Sequence, residues 1–314
     1  MYRQTGDRLH TPAPVLQQLV TAGLLGRKTG RGFYAYAAPG SAEVVPDAQT
    51  PTADRTEGAR PVQRVVVVGA TAEAADALLA VLPEGGRDLP VVLARRGDDG
   101  PRWTGPDEEL AAADLVLVAG ADDAEVAREV FAALGSIARP GAVLATTSRL
   151  PVVVCAAASG RPTDVIGLHP AGRPRASTLV EVVSAVSTAP DAAAAGHAFC
   201  AALGVPTVAS PDRAGFLVDA LLFPFLNDAV AMLDARYAGA DDIDAAMTLG
   251  CGYPVGPVAL LDDIGLDVAL AVQRELHAEA GEPGLAPAPL LTSLVTAGAL
   301  GRSTGRGFRE HGGR

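Results

Sequence analysis

An apolar run ending in glycine, Val65-Val-Val-Val-Gly69, stands directly before an alanine-rich stretch. That junction is where a chain of this kind holds a dinucleotide. The chemistry needs one glycine for the tight turn, a second so that backbone N–H groups reach the pyrophosphate, and a third for close packing of helix on strand. Here the run reads Gly69-Ala-Thr71-Ala-Glu73-Ala74, so only the first glycine is present. Thr71 puts a branched side chain where phosphate would lie, and Ala74 takes the third place. Glu73 adds negative charge at a helix N-terminus, which favours anions. The acid expected after the second strand, for the ribose hydroxyls, is replaced by Leu93-Ala-Arg95-Arg96. Two readings follow: Arg95 or Arg96 meets a 2′-phosphate and the cofactor is NADP, or the domain keeps its fold and has lost its cofactor. A second chemical pair is His169, after Val165-Ile-Gly-Leu, with Glu181 twelve residues later inside Leu179-Val-Glu-Val-Val. Taken alone, a histidine after an apolar run reads as structural at least as readily as catalytic.

The elements that must carry these residues follow from hydrophobic periodicity. Val65–Val68, Val91–Leu93, Leu115–Val118, Val143–Ala145, Val165–Leu168 and Leu179–Val183 read as strands. Ala72–Val81, Ala124–Leu134, Val152–Ser159 and Ala192–Leu203 read as the helices between them. Continuous apolar strands with helical crossovers predict an α/β Rossmann-like fold, a doubly wound, mostly parallel sheet covered on both faces. After Asp212 the strand signal stops. Gly215–Ala235, Asp241–Leu249, Val258–Ala278 and Pro289–Ala297 predict an all-α domain.

A second organising feature is a repeat. Pro12-Ala-Pro14…Leu19-Val-Thr-Ala-Gly23…Thr29-Gly-Arg-Gly-Phe33 returns, at constant offset, as Pro287-Ala-Pro289…Leu294-Val-Thr-Ala-Gly298…Thr304-Gly-Arg-Gly-Phe308. Such a match fixes architecture before residue-level argument. It predicts the closing tail of a preceding helical domain over 1–36, a flexible linker over 37–60, a nucleotide-type domain over 61–211 and a helical domain over 212–314.

Composition bounds the partners. With 49% hydrophobic and 19% charged residues the 314-residue chain can fill two cores, built from Ala, Val and Leu because aromatics are only 4%. A net charge of −11 disfavours nucleic acid and anionic membranes, so any anionic ligand must be held by local contacts. Cys155, Cys200 and Cys251 are odd in number and lack a CxxC spacing, which suits a reducing cytoplasm and gives no metal site. The most apolar stretch, Gly215–Leu233, contains Asp219, Pro224, Asn227 and Asp228 and reads as a buried helix, so no membrane partner is expected.

Three patterns together carry a family resemblance: the His169/Glu181 pair, Met247-Thr-Leu-Gly-Cys-Gly-Tyr-Pro-Val-Gly-Pro257…Asp262, and Leu300-Gly-Arg-Ser-Thr-Gly-Arg-Gly-Phe308. Over residues 62–310 the chain resembles the L-3-hydroxyacyl-CoA dehydrogenases of fatty-acid β-oxidation. The resemblance implies NAD, an acyl-CoA thioester substrate and a helical domain that dimerises. It carries the general base to His169, the glutamate that orients it to Glu181, and the family's serine to Ser148 in Thr147-Ser-Arg-Leu150.

The same resemblance marks departures. One family asparagine falls on Gly172. Another, in Gly-Phe-Ile-Val-Asn-Arg, falls on Asp219, which when ionised accepts hydrogen bonds but donates none. The stretch from Gly97 to Ala113 is too short for the long helical hairpin that helps family members hold coenzyme A. Two functions therefore stand side by side. One is an NAD(P)-linked dehydrogenase with an impaired cofactor site. The other is a non-catalytic unit that forms a homodimer or packs on an upstream dehydrogenase unit through its helical domain.

Overall fold

The computed structural model describes residues 11–47, 55–81, 89–97, 100–103, 107–171 and 179–312. The chain divides into two compact units, Met1–Arg55 and Thr56–Arg314. In the first, helix α1 (Pro14–Thr21) starts on a proline, whose missing N–H would be unpaired there in any case. After a tight turn at Arg27–Thr29, strand β1 (Ala35–Tyr36) pairs antiparallel with β2 (Val44–Val45). Part of the expected linker over 37–60 is thus strand. Its last residue, Arg60, is ion-paired to Asp164 and Asp191, while residues 48–54 lie outside the described ones.

The second unit holds an eight-stranded sheet of β3 (Val65–Gly69), β4 (Val91–Gly97), β5 (Gly100–Trp103), β6 (Leu115–Ala119), β7 (Val143–Thr146), β8 (Val165–Ala171), β9 (Leu179–Ser184) and β10 (Thr207–Pro211), in the order β10-β9-β8-β7-β6-β3-β4-β5. Every pairing is parallel except β4 with β5 and β8 with β9. Alternate residues feed two cores. Val66, Val68, Val116, Val118 and Leu144 pack with residues of α4 (Ala124–Ile137) and α5 (Val152–Ala158). Val65, Val67, Leu115, Leu117 and Val143 pack with residues of α2 (Ala72–Val81) and α6 (Pro190–Ala202). The doubly wound expectation is met. β5 and β10, short and rich in Gly, Pro and Ser, carry too little hydrophobic period to read as strands from sequence. Where the resemblance places a long helical hairpin, the chain has β5 and the short α3 (Asp107–Ala112).

The helical half comprises α7 (Val218–Asp234), α8 (Ala240–Ala245), α9 (Pro257–Ile264), α10 (Leu266–Ala280) and α11 (Pro289–Thr296). One helix was expected over Val258–Ala278. Two form because Gly265, at φ 107°, breaks it, a backbone setting that L side chains rarely adopt. Phe223, Leu226, Leu261, Leu266, Leu270 and Leu291 make the core. Asn227 pins the chain into α11 by accepting from Ala288 N–H and donating to Ala286 O.

The two copies of the repeat share one local geometry. Leu25 N–H donates to Thr29 Oγ1 at 3.0 Å and Gly26 N–H to Arg31 O at 2.8 Å, and Leu300 to Thr304 and Gly301 to Arg306 do the same at the same distances. Their surroundings differ. Buried Asp262 accepts from Phe308 N–H and Arg309 N–H and contacts His311 Nε2, whereas Phe33 and Tyr34 meet no such carboxylate among the described residues. Leu291 is 2% exposed and its counterpart Leu16 is 44% exposed. Identical turns form locally, but burial needs a receiving surface.

Candidate active site

Antiparallel register between β8 and β9 sets His169 directly opposite Glu181. Paired positions of this kind place two side chains on one face of a sheet. The imidazole Nδ1 lies 3.2 Å from Glu181 Oε2 and both side chains are buried. A carboxylate only accepts, so Nδ1 carries the proton and donates, which leaves the Nε2 lone pair free to act as a base. Glu181 has a second task. Its Oε1 accepts from Leu217 N–H at 2.8 Å and Val218 N–H at 3.0 Å, at the start of α7. Burial works against its charge, but hydrogen bonds from His169 and the Val218 and Leu217 amides outweigh it and hold its pKa below the ordinary glutamate value.

The turn that delivers α7 is tight. Gly215 has φ 68°, and a Cβ there would stand 2.9 Å from Ala220 N. Phe216 follows at φ 46°, buried, with its ring edge-on to His169 at 5.2 Å. The sequence reading missed Phe216 as a site residue, although it stands three residues before Asp219. Asp219, one residue into α7, is buried and pairs with Arg149, whose Nη1 donates to Oδ2 at 2.6 Å. Desolvation pushes the Asp219 carboxyl above its ordinary value, with Glu181 adding to the rise and Arg149 and His169 opposing it.

Ser148 sits just after β7 and is buried. Its hydroxyl accepts from Leu150 N–H, and its own N–H donates to Thr146 Oγ1. No hydrogen bond joins it to His169 among the described residues. His169, Glu181 and Asp219 are thus brought together, and Ser148 serves the adjoining turn. Gly172 lies outside the described residues.

At the dinucleotide turn, Gly69 ends β3 where a Cβ would stand 2.5 Å from Thr71 O and 2.8 Å from the Ala75 side chain, so this glycine is required. Thr71 Oγ1 accepts from Ala74 N–H at 3.1 Å, spending on the protein one of the free N–H groups of the helix start. Ala74 stands against Gly120, where a Cβ would lie 2.4 Å from the Ala74 side chain. Close helix–strand packing is therefore kept by a glycine after β6, which the sequence reading did not single out. Arg95 lies in β4, paired in register with Arg102, two residues beyond Leu93, the register partner of Gly69. The frame fits a dinucleotide. The phosphate contact does not, because Thr71 holds an N–H that would meet phosphate and Glu73 places like charge in the first turn of α2.

Among the described residues no helix is long and apolar enough to cross a membrane, and no three His, Cys, Asp or Glu groups gather as metal ligands.

Comparison with known proteins agrees with the fold. The family model described as 3-hydroxyacyl-CoA dehydrogenase, C-terminal domain, matches residues 1–36 and 215–311, and the NAD binding domain model of the same family matches 104–213. A 3-hydroxybutyryl-CoA dehydrogenase of Mycobacterium tuberculosis is 39% identical over 203 residues, which is 64% of this chain and 71% of that protein. A probable 3-hydroxybutyryl-CoA dehydrogenase of Deinococcus radiodurans is 36% identical over 205 residues, 65% of this chain and 74% of the relative. Among solved structures, the (S)-3-hydroxybutyryl-CoA dehydrogenase of Ralstonia eutropha matches at TM-score 0.70 and 27% identity, covering 81% of this chain and all of that one.

Proposed function

The chain belongs to the 3-hydroxyacyl-CoA dehydrogenase family, and from that premise we propose that His169 is its general base, taking the proton of the 3-hydroxyl of an (S)-3-hydroxyacyl-CoA as the 3-oxo product forms. The observation that carries this is the buried His169–Glu181 contact, tied by Glu181 to the start of α7. Proton transfer leaves an imidazolium, and the Glu181 carboxylate beside Nδ1 stabilises that charge and fixes the ring. The family depends on NAD(H), which when bound would take the hydride from C3 as His169 takes the hydroxyl proton. In this chain we read the grip on it as weakened at Thr71 and Glu73, with Arg95 as the residue to meet a 2′-phosphate if NADP binds better. The setting we assign is the cytoplasm, the pathway fatty-acid β-oxidation, and the assembly a homodimer through the helical half, with residues 61–211 and 212–314 as the two functional domains. Reduction of acetoacetyl-CoA by NADH or NADPH, followed at the reduced-nicotinamide band, tests the reading. Turnover that is lost in His169→Ala supports it, and rates equal in the two proteins refute it.

A second reading has one observation of its own. Residues 1–36 resemble the C-terminal domain and show an exposed apolar face at Val15, Leu16 and Val20. On this view the chain is a non-catalytic unit that packs on an active dehydrogenase. Absence of turnover with both cofactors, together with a stable complex with such a unit, would favour it.

A further inference from the structure

Asp219 and Arg149 form an ion pair between the sheet half and α7. Arg149 directly follows Ser148 on the segment between β7 and α5, and Asp219 lies at the start of α7. The pair is anchored at one end and open at the other: the Asp219 side chain is 8% exposed and that of Arg149 43%. An ionised Asp219 has no hydrogen to give. A guanidinium has five N–H donors in a rigid fork, and the described bonds of Arg149 use only Nη1. Its other nitrogens therefore remain able to donate.

Place matters as much as chemistry. Arg149, Gly215, Phe216, Asp219, Val272 and Glu275 close around one crevice too tight to hold a water molecule, which leaves the exposed outer face of the guanidinium as its open side, and Phe216 also touches the His169 ring. A single aromatic side chain thus separates the charged donor from the histidine. Glu275, whose carboxyl burial pushes above its ordinary value, faces the same guanidinium and does not hydrogen-bond to it. A neutral carbonyl oxygen suits such a donor better than a further anion, because two carboxyl groups already stand beside it.

We propose that Arg149 binds the thioester carbonyl oxygen of the acyl-CoA, with Asp219 as the residue that positions its guanidinium. This rests on the reading that the site holds an acyl-CoA. It places the carbonyl donor on the segment after β7, directly beside Asp219 at the start of α7.

Isothermal titration of the full chain with acetoacetyl-CoA and with coenzyme A alone tests it, since only the first has the thioester carbonyl. The wild type is expected to prefer acetoacetyl-CoA. Arg149→Ala should weaken acetoacetyl-CoA about tenfold and leave coenzyme A unchanged, as a charged hydrogen bond is lost. Arg149→Lys, which keeps a cation beside Asp219, should fall between and remains readable if the alanine variant misfolds. Equal weakening of both ligands in Arg149→Ala would mean a phosphate contact and overturn the proposal, as would a retained preference. Wild type that binds neither ligand would overturn the acyl-CoA reading itself, and this assignment with it.

Discussion

The turn after β3 and the strand pair β8–β9 belong to one sheet and have fared differently. At β8–β9 the carboxylate of Glu181 meets three donors, one from His169 and two from the backbone of α7. Removing it would leave two amides and a histidine unpaired at the junction of sheet and helical half, so the group that orients the proposed base also holds the fold. At the β3 turn no such double duty exists. The N–H that a phosphate would use is satisfied by Thr71, from within the same turn. A catalytic group that doubles as a structural pin is costly to lose, and one whose partner is a dissociable ligand is not.

Four substitutions would break or sharpen that contrast. The largest effect is expected from His169→Ala, which should lower acetoacetyl-CoA turnover about 10²–10⁴-fold and, by leaving the buried Glu181 Oε2 without its donor, lower stability by about 1–3 kcal/mol. Glu181→Gln should cost both activity and stability, as its double role requires: turnover falls by roughly tenfold or more, and unfolding in urea shifts by about 1–3 kcal/mol. Its pH signature is specific. Because the folded Glu181 pKa is depressed, its contribution is present above the unfolded glutamate value and is lost as pH falls through the folded one. Asp219 and Glu275, both raised, run the opposite way, so the measure is the difference between wild type and Glu181→Gln, which should shrink towards low pH.

Asp262→Ala extends the comparison to another buried carboxylate that pins backbone. It should destabilise the helical half by about 2–3 kcal/mol, since Phe308 and Arg309 amides lose their acceptor, with a small effect on turnover. A matching loss should not appear on substitution within residues 11–36. Smallest is Thr71→Gly, which frees Ala74 N–H and should tighten NADH about tenfold, against a few tenths of a kcal/mol for the lost cap. Titration of NADH fluorescence would read it.

Much of this was legible in the sequence. The strands over 65–68, 115–118, 143–145 and 165–168 are continuous apolar runs buried on both faces, the run over 179–183 is apolar except at Glu181, and each lies inside an observed strand. His169 and Glu181 could be paired only through the family resemblance, since the antiparallel β8–β9 register that sets them opposite each other departs from the parallel pattern the crossovers imply. What escaped depends on distance along the chain. Arg149 has meaning only beside Asp219, seventy residues later, and Gly120 only beside Ala74. The break at Gly265 was signalled by the glycine but masked by apolar residues running on through Leu266 and Val268. Glu181 as the acceptor for α7 had no signal, because the donors are backbone.

The most direct test of a built proton site beside a weakened cofactor turn is the NADH dependence of acetoacetyl-CoA reduction in wild type, Thr71→Gly and His169→Ala. The account predicts turnover in the wild type with a high KM for NADH. Thr71→Gly should lower that KM at unchanged kcat, and His169→Ala should remove kcat at every NADH concentration. Turnover that survives in His169→Ala would contradict the account, as would a wild type that stays at background however much NADH is supplied.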